Sequence, residues 1–500
     1  MRVLRFLAAA LLLLVVAGAV FYWGLGYRVQ LNGFGKPRLT RVKPPEKVVE
    51  ALEAHRARQR ATAPVERPAP VQAADTSHES ARVAASVTAP PASRPSSESA
   101  AAAAAAPHTV PTASAPYWIG FRGPLRDGVY REQRIRTSWP AEGLKPMWKQ
   151  PVGGGYASFA VANGRAFTIE QRRAQEVVAA YDVETGRELW THGWNAEFRE
   201  WMGGDGPRAT PAWFDGRVYA LGATGELRAL DAGTGASIWR VNILEDNGAA
   251  NLQWGMAASP LVFDDKVVVI PGGRNGRSIV AYDRLTGERR WSALDDKAAY
   301  SSPMLLTLGG RRQIVAILAT RVVGLTPDSG ELLWEFPWVT GNDIHASQPV
   351  VLGEDRLLLS SSYGRGAAVI EVRVEDGKFS ARSIWENNRL KNRFSSSVVH
   401  DGYIYGLDEN ILTCLDAATG NVRWKAGRYG HGQLVLADGH LIVLSEDGDL
   451  ALVRANPARH EELVRFPVLE GKTWNHPAID GGRLLVRNLA EMAAFDLRLR

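Results

Sequence analysis

From residue 117 to the C-terminus the chain is a succession of short apolar runs broken by Gly, Asp, Thr and Ser, without the long amphipathic stretches of a helical domain. Gly216-Arg217-Val218-Tyr219-Ala220-Leu221-Gly222, a turn, and Glu226-Leu227-Arg228-Ala229-Leu230 read as two paired strands. The second runs into Asp231-Ala232-Gly233-Thr234-Gly235 and then Trp239. This phrase describes a hairpin: an apolar strand ends in Asp, a Thr-Gly turn reverses the chain, and the next strand delivers a tryptophan.

The phrase recurs every forty to fifty residues or so, the spacing of propeller blades. Copies stand at Ala180-Tyr181-Asp182-Val183-Glu184-Thr185-Gly186 with Trp190, at Tyr282-Asp283-Arg284-Leu285-Thr286-Gly287 with Trp291, and at Leu415-Asp416-Ala417-Ala418-Thr419-Gly420 with Trp424. Edited copies stand at Pro327-Asp328-Ser329-Gly330 with Trp334 and at Glu375-Asp376-Gly377 with Trp385. With a strand pair ahead of each phrase, the pattern predicts four-stranded blades beginning near Tyr156, Arg208, Ala257, Tyr300, Ala346, Ser395, Gln433 and Asn475. The expected fold is all-β, an eight-bladed propeller over residues 117–500, with Trp190, Trp239, Trp291, Trp334, Trp385 and Trp424 as structural docking residues between blades. The last unit ends at Ala494-Phe495-Asp496-Leu497 without a tryptophan strand, and Leu144 to Pro151 supplies the missing outer strand. That closure protects an otherwise open sheet edge. The seventh unit lacks both turn phrase and tryptophan between Arg454 and Arg465.

The sequence before residue 117 is of another kind. Arg2 and Arg5 precede an apolar run from Phe6 to about Leu25, with Tyr22, Trp23 and Tyr27 where an interfacial belt would sit. Residues 1–27 are expected to form a signal anchor, one transmembrane helix; the alternative is cleavage at Ala17-Gly18-Ala19. A juxtamembrane segment, 28–60, opens like a short helix at Pro45. Residues 61–116 are rich in Ala, Pro and Ser and are expected to be a disordered linker spanning about 40 Å; with the juxtamembrane segment it forms a tether, and its histidines, His55, His78 and His108, are expected to carry no chemistry.

A single cysteine, Cys414, excludes internal disulfides, paired-cysteine redox or zinc motifs and attachment of a c-type haem. The net charge of +6 is spread thinly, without basic blocks, so no nucleic-acid partner is expected. No hydrolase, Walker or kinase signature is present.

The repeats resemble the tryptophan-docking repeats of PQQ-like propellers, a superfamily that includes quinoprotein alcohol dehydrogenases and the non-enzymatic BamB-type assembly lipoproteins. The opening Trp118-Ile119-Gly120-Phe121-Arg122-Gly123-Pro124-Leu125-Arg126-Asp127-Gly128 is similar to the opening motif of bacterial PQQ-binding-like β-propeller repeat proteins. The resemblance covers residues 117–500.

Loops that lead into the innermost strands converge on one channel mouth, which makes them the place for a site. They carry Tyr156, Asp205, Arg208, Asn251, Gln253, Trp254, Tyr300, Asn342, Asp343, His345, Lys391, Asn392, Arg393, Tyr429, His431, Trp474, Asn475 and His476. Three readings follow. The first is a membrane-tethered, extracytoplasmic scaffold, monomeric and without a required cofactor, that binds an envelope protein or peptide. The second, implied by the resemblance, is a PQQ-dependent alcohol or sugar dehydrogenase with calcium. In that reading Trp254 or Trp474 floors the quinone, Arg208 and Arg393 hold its carboxylates or the reduced ring, and Asp205 or Asp343 acts as base. The third is a small-ligand or metal-binding sensor, with His345, His431 and His476 as metal ligands.

Overall fold

The blades are built on the turn phrase. Asp182 Oδ1 accepts from the backbone and hydroxyl of Thr185 at 2.8 and 2.7 Å; Asp231 does the same for Thr234 and Asp416 for Thr419. The carboxylate thus takes up the donors that the reversal would leave unpaired. The glycine that follows adopts a positive φ, 70° at Gly186 and 75° at Gly235.

The computed structural model describes Tyr27–Leu31, Pro37–Arg41, Pro45–Thr62 and residues 117–499. Eight antiparallel sheets, each with four consecutive positions, follow one another around an axis. Their innermost strands begin at Ala160, Ala212, Leu261, Met304, Val350, Val398, Gln433 and Ala478, matching the eight predicted blades. Blade 8 is completed by Trp148–Pro151, which pairs antiparallel with Glu491–Asp496, Ala494 opposite Trp148 and Glu491 opposite Pro151. The ring therefore closes as the sequence predicts. Blade 7 carries an extra innermost strand, Val129–Tyr130, parallel to Gln433–Ala437.

Tryptophans lock neighbouring blades. Trp190 Nε1 donates to Ala232 O at 3.1 Å, Trp239 to Arg284 O at 2.9 Å, Trp291 to Pro327 O at 3.1 Å and Trp385 to Ala417 O at 3.0 Å. Trp424 donates to Asn456 O at 2.8 Å, and Trp148 closes the series on Val183 O at 2.9 Å. Each acceptor except Asn456 lies in the next blade's turn phrase. Trp334 departs from the pattern: its indole bonds Gln313 Oε1 at 2.6 Å within its own blade. Blade 5 also differs at this seam: its outer hairpin, Gly366–Glu375 with Lys378–Asn387, is long, and Val374 and Phe379 near its tip pack on Gly309 of blade 4. Trp334 stays buried in the apolar core between blades 4 and 5. In blade 7, Phe466 fills the seam and meets Trp139 edge-on, 6.0 Å between ring centres.

The juxtamembrane segment is packed against the propeller through its helix. Tyr27–Leu31 pairs with Pro37–Arg41, Tyr27 opposite Arg41. Helix α1, Pro45–Thr62, lies on the closing strand of blade 8. Leu52 and Arg56 are 1% and 2% exposed. Gln150 Oε1 receives donors from His55, Arg56 and Gln59 at 2.9 to 3.0 Å, Arg56 reaches Glu188 at 3.3 Å and stacks over Tyr181, and Arg173 holds Glu53 with two bonds. His55 is thus part of a docking network, not of a tether. Residues 63–116 join two segments, α1 and Tyr117, that are both fastened to the propeller. The predicted anchor, residues 1–27, lies almost wholly outside the described residues, as do His78 and His108. Among the described residues no helix is long and apolar enough to cross a membrane.

Candidate functional site

Side-chain oxygens at the starts of the inner strands bind one blade to the next around the axis. Ser158 N donates to Thr210 Oγ1, Thr210 N to Ser259 Oγ and Ser259 N to Ser302 Oγ, each at 2.9 Å; Ser302 N donates to Gln348 Oε1 and Gln348 N to Ser396 Oγ. The recurring Thr-Pro, Ser-Pro, Gln-Pro and His-Pro pairs at 210, 259, 302, 348 and 476 are the trace this ring leaves in the sequence.

The opening motif fills the channel inside that ring. It enters at the mouth where the inner strands end, with Trp118 N on Asp480 Oδ1 at 3.1 Å, and leaves there, with Gly482 N on Tyr130 OH. Between these points Val161 N and Trp213 N donate to Trp118 O and Ile119 O, so the motif runs against the inner strands of blades 1 and 2. Its tip carries two buried arginines. Arg122 donates to Ser396 O, Ser397 O and His476 Nε2, and Arg126 to Ser259 O, Pro260 O and Pro303 O. Burial pulls both guanidinium pKa values down to about 10. His476, stacked on Trp118, donates from Nδ1 to Pro477 O and is held neutral by burial and by Arg122. It belongs to the channel filling.

At the opposite mouth, where the inner strands begin, Trp474 stacks on Tyr156 at 5.3 Å and meets Phe394 at 4.6 Å; Phe394 touches His431 at 5.7 Å. Three cations sit on this aromatic floor: Lys472 over Trp474 at 4.3 Å, Arg208 over Phe198 at 4.7 Å and Arg393 over Tyr363 at 5.0 Å. Trp254 packs on Tyr300 at 5.6 Å. Burial lowers Lys472 to about 8 and His431 to about 4. Of the predicted residues, Arg208, Trp254, Arg393, His431 and Trp474 belong to this funnel. Phe198, Tyr363, Phe394 and Lys472 were not singled out by the sequence, although Phe394 directly follows Arg393.

Of the other candidates, Asp205 lies in the loop at the funnel's edge, close enough to act on Lys472 and Arg208, and the rest stand elsewhere. Asp205 caps its own loop, accepting from Glu200 N at 2.9 Å. Asp343 sits on an outer turn with φ of 56°, 4.0 Å from Lys297. His345 is 1% exposed and bridges blades 4 and 5, with Nε2 donating to Ala319 O and Nδ1 accepting from Ser361 Oγ. Burial holds its pKa near 4. Among the described residues no group of three or more His, Cys, Asp or Glu side chains could hold a metal ion, so the three predicted histidine ligands do not form a centre.

A quinone with calcium needs an open aromatic plane, uncommitted cations and a converging set of oxygen ligands. Four of the six residues named for that group are committed to other contacts. Trp474 is packed between Tyr156 and Phe394, Arg208 is capped by Gly204 O and Gly206 O, and the two predicted bases serve a loop and a surface pair.

The family model described as outer membrane protein assembly factor BamB matches residues 173–426. The BamB of Yersinia pestis is 26% identical over 289 residues, 51% of this chain and 67% of that protein. The quinohemoprotein alcohol dehydrogenase of Comamonas testosteroni is 34% identical over 123 residues, 23% of this chain and 16% of the relative. The crystal structure of BamB from Moraxella catarrhalis superposes with a TM-score of 0.51 at 18% identity, covering 71% of this chain and 98% of that one, a likeness of fold.

Proposed function

The chain belongs to the outer membrane protein assembly factor BamB family of PQQ-like β-propeller repeat proteins, and we propose that it acts as a non-enzymatic binding scaffold of the cell envelope. The observation that carries this reading is the filled channel below a funnel of Trp, Tyr, Phe and Arg side chains. Trp, Tyr and Arg are the residues that dominate protein-binding hot spots, and here they pack on one another and on Phe198 and Phe394. The partner is an envelope protein or an extended peptide seated on the funnel. The relatives' description as assembly factors supports the same role. The apolar run from Phe6 to Leu25 anchors the chain, with the propeller on the extracytoplasmic side.

A photo-crosslinking residue at Trp254, introduced in the full chain and activated in cells, is expected to give a discrete adduct with an envelope protein. The same residue at Asp328, in an exposed turn on the opposite face, gives none. Titration of PQQ with calcium into the full chain is expected to release no heat. Micromolar binding of PQQ, with alcohol or sugar turnover through an artificial electron acceptor, would replace the scaffold reading by the dehydrogenase one.

A further inference from the structure

Helix α1 fixes which face of the propeller looks toward the N-terminal apolar run. Glu53 pairs with Arg173 in the turn after strand Arg165–Arg172, and the neighbouring Gln171 bonds the backbone of Gly154 and of Phe198, both on the funnel side. Further along the helix, Gln59 reaches Gln150 and the backbone of Glu188, at the start of blade 1's outer strand and away from the funnel. The helix therefore points its N-terminus past the funnel rim. Glu46 in its first turn acts electrostatically on Arg199 in the rim loop.

The path from there to the apolar run is short. Because Tyr27 pairs with Arg41, the hairpin returns to its own start. Chain geometry then keeps Tyr27, two residues after the run ends at Leu25, within about 20 Å of the helix's first residue, Pro45. Residues 63–116 follow α1 in the sequence and are no part of this path.

The rim loop presents one side chain that its own protein does not cover: Trp201 is 81% exposed, the most exposed large apolar residue among those described. The loop beneath it is fixed, not slack. Glu200 accepts from Met202 N and Gly203 N, Asp205 accepts from Glu200 N, and Lys472 and Tyr156 both donate to Gly203 O. Tryptophan, with an apolar body and one N–H, suits the headgroup level of a bilayer.

We propose that the funnel rim faces the bilayer holding the N-terminal run, and that Trp201 seats in its interface. This rests on the membrane-anchor reading given above. The docked helix sets the orientation, and the Ala/Pro/Ser-rich segment comes after the tether in the chain.

The test uses the full chain in liposomes with quencher-bearing acyl chains, and a fluorophore on Arg199→Cys at the rim or on Asp328→Cys on the opposite face. Quenching at 199 is expected to exceed that at 328 at least twofold, and Trp201→Ala is expected to halve it. Deleting residues 66–110 leaves it unchanged, whereas Arg56→Ala with Gln150→Ala, which frees α1, abolishes the difference while the chain still floats with the liposomes. Flotation without quenching at 199 overturns the proposal, spares the anchor, and assigns Trp201 to a protein partner. Stronger quenching at 328, or loss of the signal on deleting 66–110, overturns the orientation. Failure to float overturns the anchor and the proposal together.

Discussion

Arg122 Nη1 donates to His476 Nε2 across 3.1 Å inside the axial channel, so the histidine must accept and cannot carry a second proton. The arginine also serves Ser396 O and Ser397 O on blade 6, while the histidine opens the inner strand of blade 8. One buried guanidinium thus joins blades that are not neighbours.

Replacing Arg122 by Met keeps much of the volume but leaves those acceptors without a donor in a site water does not reach. The expected loss of unfolding free energy is about 3 kcal/mol, read from urea denaturation, because buried polar groups left unpaired cost about 1 to 3 kcal/mol apiece. A loss below about 1 kcal/mol would mean that the motif merely rests in the channel.

The seams make a sharper comparison. A Cβ at Gly186 would stand 2.7 Å from the Trp148 ring, at a φ of 70°; one at Gly377, with φ 75°, meets nothing. Both alanine variants carry the backbone penalty, but only Gly186→Ala also pushes the closing tryptophan off its turn. Gly186→Ala is expected to lower the melting temperature clearly more than Gly377→Ala. Equal shifts would show that the glycine answers to the turn alone and not to the tryptophan.

Such contrasts also show what the sequence could carry. Asp182, Thr185 and Gly186 act within a few residues of one another, so the turns, the blade count and the closing strand at Trp148 are written locally and repeat. The repeat also disguised two differences: Trp334 has the spacing of a docking residue but bonds Gln313 of its own blade, a partner 21 residues away that the phrase does not mark. His345 shares its chain position with funnel residues yet points between blades, an outcome decided by Ala319 and Ser361, which are distant in sequence. The family likeness brought out the opening motif. Its role as a channel filling depends on carbonyls of blades 3, 4 and 6, which no local pattern announces.

Stability should depend on pH through opposing groups. His345 and His431 stay neutral in the fold down to about 4 because burial disfavours their charge, whereas an unfolded histidine takes up its proton near 6.5. As pH falls from about 6.5 to about 4 the unfolded chain binds protons that the folded one refuses, and stability falls. Glu176 acts the other way: burial raises it to about 7 against 4.5 unfolded, so the folded chain keeps its proton and stability falls as pH rises through that window. The expected result in urea titrations between pH 4 and 7 is a shallower acid loss in His345→Gln and a steeper one in Glu176→Gln. An unchanged slope in both variants would show that neither group is held as buried as it stands here.

Lys472 offers a direct readout of the funnel. Burial disfavours its charged form and lowers it from 10.5 to about 8, against the pull of Glu446 and Glu200. At pH 7.5 it holds far more neutral amine than an ordinary lysine, so competitive acylation followed by mass spectrometry is expected to find it labelled about tenfold faster or more, with a midpoint near pH 8. A partner seated on Trp474 and Arg393 would cover the amine and slow its labelling without touching lysines on the opposite face. If Lys472 reacts like any surface lysine, with a midpoint above pH 10, the funnel is wetter and looser than its stacked aromatics imply. Protection of Lys472 in native envelopes, lost on purification, would locate the partner on the funnel whatever that partner is.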